Sequence, residues 1–408
     1  MKLKLPANNG ADGMKEFKSI VTEYKKINFA ERKAALATVV KVRGSSYRSP
    51  GARMLITDDG KWVGSISGGC LEGDALRKAR QVMADKLPFT ATYDTREESN
   101  QNLGIGLGCN GVIDVLIEPL DAHDENNAAA FFERIISTNS PLALATVFAG
   151  HKKLTGKKIL LSQQETKWDE LPDSELKDHI ISDLRQLFES KQSEAKKYKT
   201  HENETEVFIE LLQPSISVII FGGGFDARPV SHLAKSLGWE VTVTDECVAH
   251  IAPLFFPTAD KLSLCQRSFI DRDFNITPYT ACILMSHNYE YDRDVLRKLI
   301  KTSTPFIGIL GPRKRFDKML EEFSKEGIEL STDDHDRVHS PIGLDIGAEA
   351  PDEIAVSIIA EIQSKFSNRS GGFLKYRNGP IHQRDIVSDQ IFKQVYLNTD
   401  HIKSVKGK

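Results

Sequence analysis

Apolar and polar positions change their spacing several times along the chain, and each change marks an element. From Ala34 to Val42 an apolar, β-branched run predicts a strand. Met54–Thr57 and Trp62–Ile66 predict the arms of a hairpin, turned by Asp58-Asp59-Gly60. Leu71, Ala75, Leu76, Ala79, Val82 and Met83 recur at helical spacing and predict a helix over 71–86. Val112–Ile117 is strand-like again, whereas residues 1–13 carry no such pattern and read as a loose tail.

The plan then repeats. Ala34-Ala-Leu-Ala-Thr-Val-Val40 is echoed by Leu142-Ala-Leu-Ala-Thr-Val-Phe148, and Asp114-Val-Leu-Ile-Glu118 by Glu206-Val-Phe-Ile-Glu210. We read an internal duplication filling 14–213, although two αβ layers can share such a pattern by chance. The second copy lacks the glycine- and cysteine-rich loops of the first, so those loops are not required to make the fold.

Past Ser217 strands alternate with helices, the pattern of a doubly wound α/β domain with a parallel sheet. Ile216–Phe221, Glu240–Thr244, Ala281–Met285 and Pro305–Leu310 predict strands; Asp292–Lys301, Lys314–Glu326 and Pro351–Lys365 predict helices. The domains expected are therefore 14–213, a Rossmann-like 214–366, and a polar arm over 367–408.

Composition adds limits. The 408 residues are 40% hydrophobic and 27% charged with a net charge of -3, which argues against a nucleic-acid binder held by a basic face. No apolar run approaches the ~20 residues that span a bilayer, and the start lacks the apolar core of a signal peptide. Five cysteines without close pairing fit a reducing compartment, so a cytoplasmic location is expected.

The strand Ser217–Phe221 runs into Gly222-Gly-Gly224, with Ala227 at the next small position. Gly222 permits a tight turn, Gly224 lets a pyrophosphate approach the backbone, and the following helix start offers free N–H groups to an anion. Asp245 ends the next strand, where an acid binds ribose hydroxyls, so an NAD(P)-like or other adenine nucleotide is expected. His287 and Arg313 fall after later strands, at the crevice end of such a sheet. His287 suits an acid, a base or a metal ligand, or equally a loop hydrogen bond; Arg313 suits an anion contact or a solvated helix start.

Two further loops carry cysteine between glycines: Ser67-Gly-Gly69-Cys70-Leu-Glu72 and Leu103-Gly-Ile-Gly-Leu-Gly-Cys109-Asn-Gly111. Glycine flanks let a backbone and a thiol approach a bulky ligand, and Cys70 precedes a helix whose dipole favours thiolate. Cys70 and Cys109 could meet on a soft metal or carry sulfur; a single cysteine is more often a small buried hydrophobe. Cys265 and Cys282 lack such flanks and are assigned to the core. Between the first strand and the hairpin, Ser45, Ser46, Arg48 and Arg53 suit either an anion cradle or a polar turn.

Taken together, Gly44-Ser-Ser-Tyr-Arg48, Pro50-Gly-Ala-Arg-Met54, Gly68-Gly-Cys70-Leu-Glu72 and Gly106-Leu-Gly-Cys109-Asn-Gly111 resemble the N-terminal domain of the XdhC/CoxI family. Phe306-Ile-Gly-Ile-Leu-Gly311, the run Ser340–Ser357 and Gly379-Pro-Ile-His382 resemble its C-terminal part. The resemblance implies an accessory chaperone that binds the molybdopterin (molybdenum) cofactor, protects it while it gains sulfur, and delivers it to a xanthine dehydrogenase-type molybdoenzyme. It implies a non-catalytic maturation factor with a cysteine desulfurase as a further partner; a homodimer is expected by analogy. On this reading Cys70 and Cys109 contact the cofactor's metal or sulfur, Arg48 and Arg53 its phosphate, with Ser45, Ser46, Gly69 and Glu72 beside them. Gly222, Gly224, Asp245, His287 and Arg313 line a nucleotide crevice. Phe225 stands where the family has histidine, and Cys247 where it has arginine. The rival readings are an NAD(P)-dependent oxidoreductase using His287 as acid/base and a sulfurtransferase carrying a persulfide on Cys70.

Overall fold

The computed structural model describes residues 11–95, 111–124, 127–172, 174–200 and 204–376. The chain divides between Gln213 and Pro214 into two compact units, the second including the start of the first helix up to Lys15.

In the first unit the helix α1 (Ala11–Tyr24) leads to the strands β1 (Ala34–Gly44), β2 (Arg53–Thr57) and β3 (Trp62–Gly64), the helix α2 (Glu72–Asp85), and the strands β4 (Phe89–Asp94) and β5 (Gly111–Leu120). After α3 (Ala128–Ile136) the same succession returns: β6 (Leu142–Ala149), β7 (Lys158–Leu161), β8 (Thr166–Asp169), α4 (Glu175–Ser190), β9 (Glu194–Lys199) and β10 (Glu204–Leu212). The two antiparallel sheets have matching orders, β3-β2-β1-β5-β4 and β8-β7-β6-β10-β9. Each buries one face on its own helix: Ala37, Met54, Val115 and Ile117 on Ala79 and Val82 of α2, and Ala145, Ile159 and Ile209 on Ile180 and Leu184 of α4. Side-chain alternation along a strand makes this possible, because residues two apart share a face.

The duplication is visible in detail. Both helices end at a lysine in the left-handed conformation, Lys86 (φ 55°) and Lys191 (φ 56°). On the outer faces, Val40 and Leu116 of the first copy pack with Phe148 and Phe208 of the second, the residues at the same places in the repeat. The ion pairs cross in the same reciprocal way. Arg53, which opens β2, pairs with Glu210 of β10, and Lys158, which opens β7, pairs with Glu118 of β5 at 2.5 Å. All four side chains are buried, so each copy neutralises a charge of the other.

The second unit holds β11 (Ser217–Phe221), α5 (Ala227–Ser236), β12 (Glu240–Asp245), β13 (Lys261–Leu264), α6 (Ile270–Asp273), β14 (Thr280–Leu284), α7 (Tyr289–Leu299), β15 (Phe306–Ile309), α8 (Arg313–Lys325), α9 (Thr332–Arg337), β16 (Val338–His339) and α10 (Pro351–Phe366). Its six strands are all parallel in the order β13-β12-β11-β14-β15-β16, with the strand order reversing between β11 and β14. That is the dinucleotide-type Rossmann order, whose crevice opens at the reversal. Helices α5 and α10 cover one face through Val230, Ala234, Ile358 and Ile362, and α7 and α8 cover the other through Val295, Leu296, Met319 and Phe323.

Differences from the sequence reading lie at the margins. The tail assigned to residues 1–13 gives way from Ala11 to α1, whose Met14, Phe17, Ile20 and Val21 are buried. The strand β4 went unread because its alternation is short and half-exposed. Of the arm, residues 367–376 hold one 3₁₀ turn at Leu374–Tyr376; 377–408, including His382, lie outside the described residues.

Candidate functional site

Antiparallel pairing brings several chain connections to one end of the first sheet. There β1 ends at Gly44, β2 starts at Arg53, β3 ends at Gly64 and β5 starts at Gly111. Thr95 and Gly111, the described residues either side of 96–110, are clamped together: Thr95 N–H donates to the Gly111 carbonyl at 2.8 Å and Gly111 N–H to Thr95 Oγ1 at 3.0 Å. Gly111 passes so close to the Ser45 carbonyl that any Cβ there would overlap it. The Cys70 loop and the base of the segment carrying Cys109 thus share one end of the sheet; Cys109 itself lies outside the described residues.

The Cys70 loop is built around two buried side chains. Ser67 Oγ accepts the N–H groups of Gly69, Cys70 and Leu71 at 3.2, 3.1 and 3.0 Å, and donates to the Glu72 carboxylate. Glu72 also accepts from Ser65 Oγ at 2.7 Å, Ser67 N at 2.9 Å and Leu71 N at 3.1 Å. Burial works against the Glu72 charge, but the bonds from Ser67, Ser65 and the backbone more than offset it, and its carboxyl lies below its ordinary range. The amides of Gly69, Cys70 and Leu71, which lead into α2, are therefore already met within the loop. What the loop presents is the half-buried thiol of Cys70, with Gly69 at φ 110° before it. The Tyr47 ring, 68% exposed, lies over this loop: a methyl group on Gly68 would sit 3.4 Å from it.

The two arginines expected at a phosphate are held by carboxylates. Arg53 is 3% exposed; it pairs with Glu210, and its guanidinium lies 4.7 Å from the Phe17 ring centre and 5.0 Å from that of Phe132. Arg48 pairs with Glu16 of α1, whose carboxyl burial pushes above its ordinary range against the opposing pull of Arg48. Ser46 is buried and donates to the Arg48 carbonyl, while Ser45 is exposed. Among the described residues, Arg43 presents an exposed guanidinium at this end, its Nη2 donating to Asp114 at 2.8 Å.

In the Rossmann unit Gly222 has φ 118°, and a Cβ there would lie 2.5 Å from the Ser286 backbone. Glycine is therefore required by the approach of the β14 exit, whatever binds. The buried carboxylate of Asp245 accepts Gly223 N–H at 2.9 Å and Cys247 N–H at 2.8 Å, and meets His250 Nδ1 at 3.0 Å. It staples the glycine loop to the next turn. At the start of α5 stands Asp226, whose Oδ2 lies 2.8 Å from His287 Nε2. His287 is exposed and held at φ 58°, a left-handed strain for a non-glycine residue. A carboxylate thus occupies the helix start at which a pyrophosphate was expected. Arg313 is the exposed first residue of α8 and faces Asp317 of its own helix at 3.6 Å.

These features can be set beside known proteins. Residues 30–94 match the XdhC and CoxI family, and residues 218–362 match the XdhC Rossmann domain. A Bacillus subtilis (strain 168) protein described as a probable xanthine dehydrogenase subunit is 30% identical over 81% of this chain and 93% of its own length. The chain belongs to the XdhC and CoxI family. The molybdenum cofactor insertion chaperone PaoD of Escherichia coli K12 is 23% identical over 81% of this chain and 83% of its own. The crystal structure of a xanthine dehydrogenase from Bacillus halodurans superposes with a TM-score of 0.69 at 28% identity, covering 86% of this chain and 97% of that one.

For this XdhC-type chain, the first family match covers the Cys70 loop and the second covers the glycine loop. Cys265 and Cys282 lie in the core, as assigned from their flanks, and burial pushes both thiols up to about 12. Among the described residues no group of three or more His, Cys, Asp or Glu could hold a metal ion. Sequence reasoning passed over Arg43, Tyr47, Ser67 and Asp226. Ser67 carried a signal, a serine ahead of two glycines, whose hydroxyl is suited to bonding nearby backbone N–H groups in a turn.

Proposed function

We propose that this protein is a molybdenum-cofactor maturation factor, holding the molybdopterin cofactor at the Cys70 end of the first sheet and passing it to a xanthine dehydrogenase-type enzyme. The observation that carries the reading is the Cys70 loop: Ser67 and Glu72 satisfy its amides internally, so its thiol is presented on a fixed backbone. Family membership and similarity to a named cofactor insertion chaperone support it.

The donor set fits such a group. Cys70 offers the soft sulfur that suits a thiophilic metal or its sulfido ligand. Arg43 offers a guanidinium for a phosphate, taking the part expected of Arg48 and Arg53. The exposed face of Tyr47 offers a platform for a flat ring. When bound, the cofactor supplies the metal and sulfur chemistry of the recipient enzyme; the chain's residues bind, orient and shield it. Cys109 is proposed as the second thiol, a cysteine desulfurase as the sulfur donor, and a second copy of the chain as a further partner. The oxidoreductase reading has less support, because Asp245 is turned inward and Asp226 puts negative charge where a dinucleotide's pyrophosphate would lie.

The test is anaerobic purification from cells that make the cofactor, followed by oxidation of the bound pterin to its fluorescent derivative. Wild-type protein carrying pterin near one per chain, with Cys70→Ser carrying much less, supports the reading. Pterin absent from wild-type protein, or equal in both, overturns it.

A further inference from the structure

The Rossmann unit contains a recess beside the first turns of α5, lined by Phe225, the residue that follows the glycine loop. It lies on the face covered by α5 and α10, between α5, the segment Phe255–Thr258 and the first residues of α10, with a volume of about 290 Å³. Aromatic rings and prolines form its walls: Phe225, Phe255, Phe256, Pro229, Pro257 and Pro351.

Two polar atoms on its walls lack hydrogen-bond partners. The Arg228 guanidinium lies 3.9 Å from the ring centre of Phe255 and 5.3 Å from that of Phe225, flanked by both. Its Nε is sealed from solvent without an acceptor, and no carboxylate among the described residues pairs with it. Ser231, 1% exposed, also lines the recess, and its Oγ makes no hydrogen bond. A buried hydroxyl left unmet costs about 1–3 kcal/mol, so such a group is expected to have a partner in the working state. The start of the 16-residue helix α10 opens here too: its N-cap is Ala350, which has no side chain to accept the first N–H groups. The Glu353 carboxylate turns upstream to Glu349 N and Ala350 N. Asp352, at the rim, is the one carboxylate lining the recess, and it suits an N–H donor on the ligand.

We infer that this recess is a binding site for a flat heteroaromatic molecule bearing one anionic group. The anion meets Arg228, Ser231 and the α10 start; the ring packs on Phe225 and Phe255; an amine N–H on the ring, where the ligand carries one, meets Asp352. Phosphate and carboxylate share the anion chemistry, so two probes separate the sources: adenosine 5′-monophosphate and nicotinate. The site stands independently of the cofactor reading, since it uses neither Cys70 nor Arg43.

Isothermal titration of the full chain with each probe tests it, together with NMR of arginine Nε–H groups during the titration. The expected result is saturable one-site binding of at least one probe and movement of the Arg228 Nε–H resonance. Arg228→Gln should weaken binding roughly tenfold or more at an unchanged melting temperature, and Ser231→Ala less. Three results overturn the inference: no saturation by either probe, equal binding by Arg228→Gln, or binding abolished by His287→Ala instead, which would place the probe in the glycine-loop crevice. The NMR shift in wild-type protein decides the matter even if Arg228→Gln folds poorly.

Discussion

Ser67 and Glu72 close the loop that carries Cys70: the serine amide donates to the glutamate at 2.9 Å, and the serine hydroxyl donates to its other oxygen. Four donors converge on this one carboxylate, two serine hydroxyls and two backbone amides. Glu72→Gln replaces an accepting oxygen with a donating amide facing a donor. We expect a loss of about 1–3 kcal/mol in urea unfolding, and faster alkylation of Cys70 as its loop loosens. Unchanged stability would remove Glu72 from its organising role.

The same residue sets a pH dependence with a definite sign. The Glu72 carboxyl lies below its ordinary value in the folded protein, so its contribution is present above the unfolded value of about 4.3 and lost as pH falls through the folded one. The stability gap between wild type and Glu72→Gln should be constant above about pH 6 and close below about pH 4. Glu16 works in the opposite sense. Its folded value is raised by burial, so its contribution is present below the unfolded value and lost as pH rises, and Glu16→Gln should gain on wild type with rising pH. Denaturant titrations at a series of pH values measure both.

Arg53 and Lys158 hold reciprocal buried pairs with Glu210 and Glu118, so removing either cation strands a carboxylate. Arg53→Ala and Lys158→Ala should each cost about 3–5 kcal/mol, whereas Arg53→Met combined with Glu210→Leu should recover most of the loss. Equilibrium unfolding of the single and double variants reads this directly. If Arg53 instead served a phosphate, Arg53→Ala would fold normally and lose only binding.

Thiol reactivity should follow burial. In the native protein a brief treatment with iodoacetamide should modify half-buried Cys70 and exposed Cys247, leaving buried Cys265 and Cys282 intact until denaturant is added. Peptide mass spectrometry gives the order, and early labelling of Cys282 would contradict the packing of the Rossmann core.

How far the sequence could be read depended on the kind of signal. The strands β11, β12, β14 and β15 and the helix α10 were legible because long apolar runs and a Pro-Asp-Glu helix start are local features. So was the duplication, since Ala34–Val40 and Leu142–Phe148 keep the same inward pattern. Side-chain roles were less legible. Arg53 and Arg48 looked like an anion cradle because their partners, Glu210 and Glu16, are remote in sequence or lie in an unread helix. Asp245 sits where a ribose acid would, yet nothing near it in sequence announces that the Gly223 amide takes its carboxylate. Arg43 and Tyr47 became candidates only when exposure was known.

The central claim is that the Cys70 end of the first sheet receives the molybdenum cofactor. Its most direct test is an anaerobic equilibrium titration of the purified full chain with isolated cofactor, comparing wild type with Cys70→Ser, Arg43→Gln and Arg53→Met/Glu210→Leu. We expect Cys70→Ser and Arg43→Gln each to weaken binding roughly tenfold or more while melting like wild type, and the Arg53 double variant to bind normally. Equal affinity for wild type and Cys70→Ser, or loss confined to the Arg53 variant, would contradict the account.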